Sequence, residues 1–406
     1  MKELFFILAL FSTLASAQTP PAYVVLFTHI EDNTPVGILG SVESRQNYSL
    51  LRTRLLALAT LAKSYSLKWS FQPDWKILEA ALLCEDSVLV KTTGGKNVLR
   101  YLKEDLSVAI DAHSHENGGY NYTDVAHLLD SLGVGSTTVI GGHIWDPTIP
   151  QFQEWDRFRT AVHGTRYPWT LWRGDILMGS GTPNHVNDPE ISGVWRPKDR
   201  YHYFTDDTAG NIACIGQYKG DLESIEGLQA LYRKGMVQPQ NMLTSTYSIK
   251  PATITQLNGL AVIEDSVFKP LAILRSKGVV TLTDFTSLIG EWKSKFGARA
   301  FLLDAKNVTR IELGEPAIPG PVVLHQNYPN PFNPRTAITY RLTAAGVVKL
   351  EIFDPLGREV AVLARGEEAA GAHSVIFDGA EFPSGIYFYR LQSNGQVLTK
   401  TMILMK

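Results

Sequence analysis

The sequence predicts an α/β fold for most of the chain, a barrel of seven or eight strands, followed by a smaller domain of β-strands. Short apolar runs alternate with longer segments of helical period over residues 23–304, which is typical of a parallel sheet with crossover helices. Residues 324–406 instead alternate apolar and polar positions between turn signals, as short strands do. Because strand order cannot be deduced from one sequence, a doubly wound open sheet is the alternative for the larger region.

The predicted elements of the larger region follow one another as strand and helix. The apolar run 24–28 makes the first strand, and leucines at three- and four-residue spacing over 50–61 predict a helix that packs against it. Later strands are predicted at 69–71, 108–110, 138–140, 212–217, 242–246, 279–282 and 300–303. Later helices are predicted at 75–83, 98–102, 125–132, 222–233, 254–276 and 285–296. Residues 147–203 lack clean periodicity, which predicts long loops around one or two short strands.

The chain begins with the features of a cleavable signal peptide. Lys2 precedes an apolar run over 4–14, and the small residues at 15–17 form a cleavage site. No later stretch reaches the about 18 apolar residues that a membrane-spanning helix needs. Prolines and glycines near residue 320 predict a stiff linker. The predicted domains are a signal peptide at 1–17, an α/β domain at 18–313, a linker at 314–323 and a β-domain at 324–406.

Composition limits the partners of this chain. With 38 basic and 40 acidic side chains the net charge is -2, so the protein has no field of one sign to attract nucleic acid or an anionic membrane. All eight tryptophans lie in the larger domain, where they would stack on sugars or pack in the core. Export would place Cys84 and Cys214 in an oxidising compartment, where they form one disulfide bond or stay buried as thiols.

The last domain is predicted to be a small immunoglobulin-like β-sandwich. Its strands are expected at 337–342, 347–353, 360–364, 373–377, 385–392 and 397–404. It also contains four short blocks in a fixed order, which are QNYPNPFNP at 326–334, LGREV at 356–360, AGAH at 370–373 and SGIYFYRL at 384–391.

These four blocks resemble the C-terminal sorting domains carried by cargo of the bacterial type IX secretion system. The resemblance implies that the secretion machinery is a partner of this domain, and that the domain is removed at or after translocation. It also implies passage through the periplasm and outer membrane of a Gram-negative bacterium. The expected location is outside the cell or at its surface.

Acidic residues and histidines follow three of the predicted strands. Glu31 and Asp32 come after the first strand, and His143 comes after the strand at 138–140. His113 and His115 follow an intervening strand. In an extended segment they point to the same side, so both would reach one divalent cation, with Asp32 as the oxygen ligand. Zinc is the expected metal. Three protein ligands leave a position for water, whose proton Glu31 would accept as the water attacks a carbonyl.

The order of these motifs resembles that of the polysaccharide deacetylase family and of the wider glycoside hydrolase and deacetylase superfamily, which have irregular (β/α) barrels. The similarity covers about residues 23–301. In that family an acidic pair follows the first strand, which implies that Glu31 is the catalytic base and Asp32 a metal ligand. The family's next motif opens with His-Ser, which implies a ligand role for His113.

Two further positions are assigned through this resemblance. The family's second metal-binding histidine falls on Asn117, and His115 is expected to take its place from the same segment. The tripeptide Trp-Arg-Pro at 195–197 is similar to the family's arginine-proline motif, which orients the base. That similarity implies a carboxylate-positioning role for Arg196.

The family's late leucine-histidine pair, which supplies the catalytic acid, has no counterpart here because Leu243 is followed by Thr244. Three alternatives follow from this departure. Either His143 or His185 takes the role of the acid, or the domain uses another hydrolytic chemistry, or it is a binding domain without catalysis.

Two hypotheses of function follow from these residues. The first is a secreted, metal-dependent, carbohydrate-active hydrolase of deacetylase type that removes acyl groups from a polysaccharide. The second is a secreted or cell-surface protein that binds glycans without catalysis, through aromatic residues such as Trp145 and Trp195. The sequence leaves open the substrate, the identity of the metal and the oligomeric state.

Overall fold

A buried strand, β1 (Ala22–Ile30), is the centre of the larger of two units in the computed structural model. The two units are residues 1–313 and 314–406. The structure describes residues 19–143, 154–178, 190–199, 201–216, 222–305, 322–324, 326–327, 330–342, 345–369, 371–393 and 396–406. The predicted signal peptide and most of the predicted linker lie outside these residues. Among the helices of the described residues, none is long and apolar enough to cross a membrane.

The remaining elements of the larger unit are helices and mostly short strands. The strands are β2 (Ser70–Pro73), β3 (Ala109–Ile110), β4 (Val139–Ile140), β5 (Val162–His163), β6 (Leu171–Trp172), β7 (Ile176–Met178), β8 (Ile191–Ser192), β9 (Val194–Trp195), β10 (Ala213–Ile215), β11 (Thr244–Ser248), β12 (Val280–Thr283) and β13 (Leu303–Asp304). The helices are α1 (Val42–Ser64), α2 (Trp75–Cys84), α3 (Val98–Glu104), α4 (Tyr122–Ser131), α5 (Leu222–Arg233), α6 (Pro251–Thr255), α7 (Gly259–Ile263), α8 (Lys269–Ser276) and α9 (Phe285–Lys295).

The strands of this unit form two main sheets. In the first, β1 pairs in parallel with β2, β11 and β12, and β2 pairs in parallel with β3. The second has the order β4, β7, β10 and β9, and only β9 is antiparallel to its neighbour. One parallel bridge, between His113 and Gly141, links the chain after β3 to the chain after β4. The described strands form a mixed α/β fold without a closed ring, so the predicted barrel is not confirmed.

The two faces of β1 pack into different cores. Val24, Leu26 and Ile30 belong to a core that also contains buried residues of helices α1 to α4. On the other face, Tyr23, Val25 and Phe27 belong to a second core, which combines side chains of both sheets with those of helix α9. Burial on both faces explains why β1 is apolar almost throughout. The carboxyl end of β1 therefore lies between two packed layers.

The long helix predicted at 254–276 is interrupted in the structure. Helix α6 ends at Thr255, and the next residue, Gln256, has an extended backbone with a ψ of 153°. Helices α7 and α8 are joined by a wider π turn, Glu264–Phe268. This turn comes just before Pro270, which has no N–H to donate and whose ring would crowd the preceding turn of an α-helix. The prediction of one continuous helix was wrong because periodicity alone does not detect such interruptions.

The middle region, residues 147–203, contains more strands than the one or two predicted. In its described part, β5 to β9 are each two or three residues long. Strands of this length have too few residues to show an alternation of apolar and polar positions. Their number could therefore not be deduced from the sequence.

Cys84 and Cys214 both lie among the described residues, buried and without a disulfide bond. Cys84 is the last residue of α2, and Cys214 is in β10. Of the two alternatives that the sequence left open, the structure has buried thiols. Burial raises the pKa of Cys214, as is typical of buried structural thiols.

The C-terminal unit consists of two antiparallel sheets. One contains β14 (Val323–Leu324), β15 (Arg335–Leu342) and β18 (Gly371–Asp378). The other contains β16 (Gly346–Phe353), β17 (Glu359–Glu368), β19 (Gly385–Ser393) and β20 (Gln396–Leu404). Apolar side chains of both sheets share one core. Six of the seven strands overlap segments predicted from alternation, while the immunoglobulin-like character of the sandwich stays a prediction.

Candidate metal centre

The chain segments that follow β1, β2 and β3 lie side by side. The N–H of Asp74, just after β2, donates to the carbonyl oxygen of Ile30 at the end of β1 at 2.9 Å. The N–H of His113 donates to the carbonyl oxygen of Pro73 at 3.3 Å, and a bridge joins His113 to Gly141 after β4. Four strand ends therefore form one edge, which is where parallel α/β folds place reactive groups.

Three side chains at this edge form a group that could hold a metal ion. One ligand atom each from Glu31, His113 and His115 lies within 4.8 Å of the others. Oε1 of Glu31 is 3.9 Å from Nε2 of His115 and 3.5 Å from Nε2 of His29. The His29 ring stacks on the His113 ring with centroids 4.8 Å apart, and the His115 ring stands nearly perpendicular to that of His113.

The donor set of this group fits a divalent cation. Two imidazoles and one carboxylate are a ligand set that catalytic zinc takes, with a fourth position left for water or substrate. The backbone leaves room for the inner imidazole at Gly142, where a Cβ atom would lie 2.8 Å from Nε2 of His113. Gly142 also has a φ of +84°, which favours glycine. Both features suit a ring held in one position.

The charges of the group favour binding of a cation. Hydrogen bonding to His115, and then to His29, holds the pKa of Glu31 well below its usual range. Burial lowers the pKa of His115, but the hydrogen bond and the negative charge of Glu31 outweigh it, so the net pKa is raised. The contact between Glu31 and His115 is an ion pair when His115 is protonated. Since a ligating imidazole must be neutral, binding of a cation has to displace that proton.

Asp32 is not a member of the group, although the sequence suggested it as the oxygen ligand. It is half-buried and lies one residue beyond Glu31 in a turn. Strand β1 continues to Ile30, so the two-residue alternation places Glu31 on the same side as His29. The structure therefore brings Glu31, rather than Asp32, to the two histidines.

The described contacts of the Arg196 side chain are with Asp206 and Trp292, whereas the sequence suggested that it orients the catalytic base. Its Nη2 and Nε atoms pair with the two carboxylate oxygens of Asp206 at 2.9 and 3.1 Å. Its guanidinium also lies over the Trp292 ring, 5.3 Å from the centroid. These contacts hold the loop after β9 against helix α9, and a role in orienting Glu31 stays a prediction.

His143 is buried in an aromatic cluster instead of facing the group. Its Nε2 is hydrogen-bonded to the hydroxyl of Tyr203 at 3.0 Å, and burial lowers its pKa to about 3. A neutral imidazole of this kind is a poor proton donor at neutral pH. The nearby Trp195 is fully buried and donates to the carbonyl oxygen of Tyr203 at 2.6 Å. The other residues considered for these roles, His185 and Trp145, lie outside the described residues.

Two residues at this edge were missed or left without a role in the sequence. No role was assigned to His29 from the sequence, yet its ring stacks on that of His113. Asp74 was not considered, because an aspartate before a helix is an ordinary N-cap signal. It is fully buried, and burial raises its pKa to about 7. The signal that could have found it is its place after β2, between the strand ends that carry Glu31 and His113.

The comparison with protein families identifies the C-terminal unit. Residues 326–405 match the family model described as the secretion system C-terminal sorting domain. The prediction of a type IX secretion sorting domain is confirmed for this part of the chain. The domain indicates export by that system, interaction with its machinery, and a final location outside the cell or at its surface. No curated protein matches the chain.

Comparisons with solved structures give low TM-scores. Dimeric latent PorU from Porphyromonas gingivalis is 22% identical over 21% of this chain and only 9% of its own, with a TM-score of 0.18. A proposed glycoside hydrolase/deacetylase from Parabacteroides distasonis is 9% identical over 87% of each chain, with a TM-score of 0.42. The endo-beta-1,4-mannanase from Thermotoga petrophila is 10% identical over 93% of this chain and 87% of its own, with a TM-score of 0.26. None of these similarities decides the activity of the larger unit.

Proposed function

We propose that the larger unit is a metal-dependent hydrolase that removes acyl groups from a polysaccharide outside the cell. The observation that carries this proposal is the group formed by Glu31, His113 and His115 at the carboxyl edge of a parallel sheet. The ligand atoms lie within 4.8 Å of one another. Small side-chain shifts would therefore place each of them at about 2.0 to 2.2 Å from one zinc ion, the distance that zinc requires.

In this proposal Glu31, His113 and His115 hold the cation, and zinc is the metal that the donor set favours. A bound divalent cation lowers the pKa of water to about 7 and polarises a carbonyl group. His29 stacks on His113 and contacts Glu31, so it fixes the orientation of two ligands, as supporting residues of metal sites do. This assignment gives Glu31 the ligand role that the sequence suggested for Asp32.

The substrate class is supported by two features of the chain. The motifs around Glu31 and His113 resemble those of polysaccharide deacetylases, which act on acylated sugars. The sorting domain directs the chain out of the cell, where polysaccharides are accessible. The competing proposal, glycan binding without catalysis, loses one of its two suggested aromatic contacts because Trp195 is fully buried.

Replacement of the ligands tests the metal centre. We expect His113→Ala and Glu31→Ala to weaken zinc binding by more than about 100-fold, since each removes one of three donors. Asp32→Asn should bind zinc within about threefold of the unchanged protein. Isothermal titration and metal analysis of the purified full chain would measure these affinities.

The outcomes of this experiment separate the alternatives. If Asp32→Asn loses zinc while Glu31→Ala retains it, the ligand assignment made from the sequence is correct and the present one is wrong. If the unchanged protein binds zinc but releases no acetate from a panel of acetylated polysaccharides, it is not a deacetylase. Acetate release that resists a chelator would also contradict the proposal.

Truncation tests the role of the C-terminal unit in export. A chain that ends at Glu315 lacks the whole matched region, 326–405, and we expect it to accumulate in the periplasm. The measurement is an immunoblot of periplasm, cell surface and medium in a host that has a type IX secretion system. As a control, residues 316–406 fused to a periplasmic reporter should carry the reporter outside. Export of the truncated chain at the normal level would contradict the prediction.

A further inference from the structure

The backbone places Asp74 between the segments that carry the metal-binding residues. Its N–H donates to the carbonyl oxygen of Ile30, the residue before Glu31, at 2.9 Å. The residue before it, Pro73, accepts a hydrogen bond from the N–H of His113 at 3.3 Å. Asp74 is thus tied from one side to the strand end of Glu31 and from the other to that of His113.

The side chain of Asp74 has one oxygen in use and one to spare. Oδ1 accepts a hydrogen bond from the N–H of Trp75 at 2.6 Å and caps helix α2. Oδ2 is buried and has no hydrogen-bond partner among the described residues. A buried polar atom without a partner is costly and calls for a reason. Capping is not that reason, because asparagine caps a helix as well as aspartate does.

The charged groups around Asp74 are those of the metal centre. Burial raises its pKa to about 7, and the negative charges of Asp32 and Glu31 add to that rise, against the N–H of Trp75 and the charge of His115. A carboxyl group of this kind is present in both protonation states near neutral pH. Such a group can take up a proton and give it back within one reaction cycle.

We propose that Asp74 is the proton-transferring residue of this site, a role that rests on the proposed hydrolase function. Oδ2 accepts a proton from a water molecule while the oxygen of that water bonds to the carbonyl carbon of the acyl ester. The bond between that carbon and the sugar oxygen then breaks, and the proton passes from Asp74 to the sugar oxygen. The products are a carboxylic acid and a free sugar hydroxyl, and Asp74 returns to its carboxylate form.

The test uses Asp74→Asn in the zinc-loaded full chain, with 4-nitrophenyl acetate as the probe. Asparagine keeps the helix cap but cannot accept the proton. We expect kcat to fall by about 100-fold to 10,000-fold, with KM and zinc affinity within about threefold. The matched control is Asp284→Asn, which changes another aspartate that caps a helix directly after a strand paired with β1. The control should hydrolyse the probe at the unchanged rate.

A second measurement does not depend on activity. Infrared difference spectra of the metal-free chain should show a protonated carboxyl group that titrates near pH 7. This contribution should be lost in Asp74→Asn and kept in Asp284→Asn. Asp111, whose pKa burial also raises to about 7, contributes equally in the unchanged protein and in Asp74→Asn and cancels when those two spectra are compared. In Asp284→Asn its titration moves to lower pH, because the charge of Asp284 adds to the rise in the Asp111 pKa.

Each outcome either supports the proposal or overturns it. If Asp74→Asn binds zinc normally and keeps its activity within about threefold, Asp74 is not the proton acceptor, while the hydrolase proposal stands. If the variant loses zinc, Asp74 is a ligand and the proposal is wrong. If Asp32→Asn shows the large loss of kcat instead, the role belongs to Asp32. If the unchanged protein neither binds zinc nor hydrolyses acyl esters, the proposed function itself fails, and the role of Asp74 fails with it.

Discussion

Asp74 and Asp284 occupy equivalent places in the larger unit. Asp74 follows β2 and caps α2, while Asp284 follows β12 and caps α9. Both strands pair in parallel with β1, and both aspartates are buried. In each case an aspartate ends a strand and an aromatic residue opens the helix. By local sequence the two sites are nearly the same.

The two aspartates differ in the partners of their second oxygen. At Asp284, Oδ1 accepts from the N–H of Ser287 at 2.7 Å, while Oδ2 accepts from the Ser287 hydroxyl at 2.8 Å and from Lys68 at 3.0 Å. Among the described residues, only the N–H of Trp75 donates to the side chain of Asp74, and Oδ2 has no partner. The comparison teaches that the helix cap is shared, whereas the charge is stabilised at one site and left uncompensated at the other.

The largest effect that this comparison predicts is a gain of stability in Asp74→Asn at alkaline pH. Because burial raises the pKa of Asp74 from 3.8 to about 7, the folded state binds the proton more tightly than the unfolded state. The carboxyl group therefore costs no stability below pH 4, destabilises the fold increasingly as the pH rises to about 7, and has a constant cost at higher pH. We expect a gain of about 2 to 4 kcal/mol in the free energy of unfolding of the metal-free chain at pH 8 and almost none at pH 4.

Urea unfolding at the two pH values measures this change. Tryptophan fluorescence reports on the larger unit alone, because all eight tryptophans precede the tail. Asp284→Asn is the control, and we expect its free energy of unfolding to change in the opposite direction. Burial raises the pKa of Asp284, but the bonds from Ser287 and Lys68 outweigh it and the net pKa is lowered. We expect this variant to lose about 1 to 2 kcal/mol at pH 8 and less as the pH falls through the folded-state pKa. Changes of the same sign in both variants would break the comparison.

The sequence predicted those parts of the site that depend on short-range geometry. His113 and His115 were paired because residues two apart in an extended segment point the same way, and the structure brings them together with a carboxylate. The choice of Asp32 over Glu31 depended on where β1 ends. The predicted strand stopped at residue 28, whereas the observed strand continues to Ile30 and carries the alternation on to Glu31.

The parts that the sequence could not predict depend on contacts between distant segments. The motif around Arg196 does not reveal that its guanidinium pairs with Asp206. The position of His143 after a strand does not reveal that its ring lies against Tyr203. Asp74 was missed for the same reason. Its local sequence indicates only a helix cap, and its position in the site depends on the neighbouring strand ends. In the C-terminal unit, by contrast, the alternation of apolar and polar residues within each strand was enough to predict six of the seven strands.

The smallest predicted effect concerns the cation at Asp284. The Lys68 side chain is 54% exposed while that of Asp284 is 12% exposed, and their atoms are 3.0 Å apart. A half-exposed ion pair contributes at most about 1 kcal/mol, so Lys68→Gln should lower the free energy of unfolding by about 0.3 to 1 kcal/mol at pH 8. Because salt screens exposed charges, the difference from the unchanged protein should shrink in about 1 M sodium chloride. Lys295→Gln, which removes an exposed helical pair with Glu291, is the control and should change little.

This variant decides which contact separates the two aspartates. If Lys68→Gln costs as much as Asp284→Asn, the distant lysine stabilises the charge, and a lysine near Asp74 would be enough to make the two sites alike. If the cost stays well below that of Asp284→Asn, the two bonds from Ser287 carry the difference. We expect the second result, because hydrogen bonds to a buried carboxylate contribute more than a half-exposed cation does. On that result, the missing serine bonds leave the Asp74 carboxylate uncompensated and available to exchange a proton.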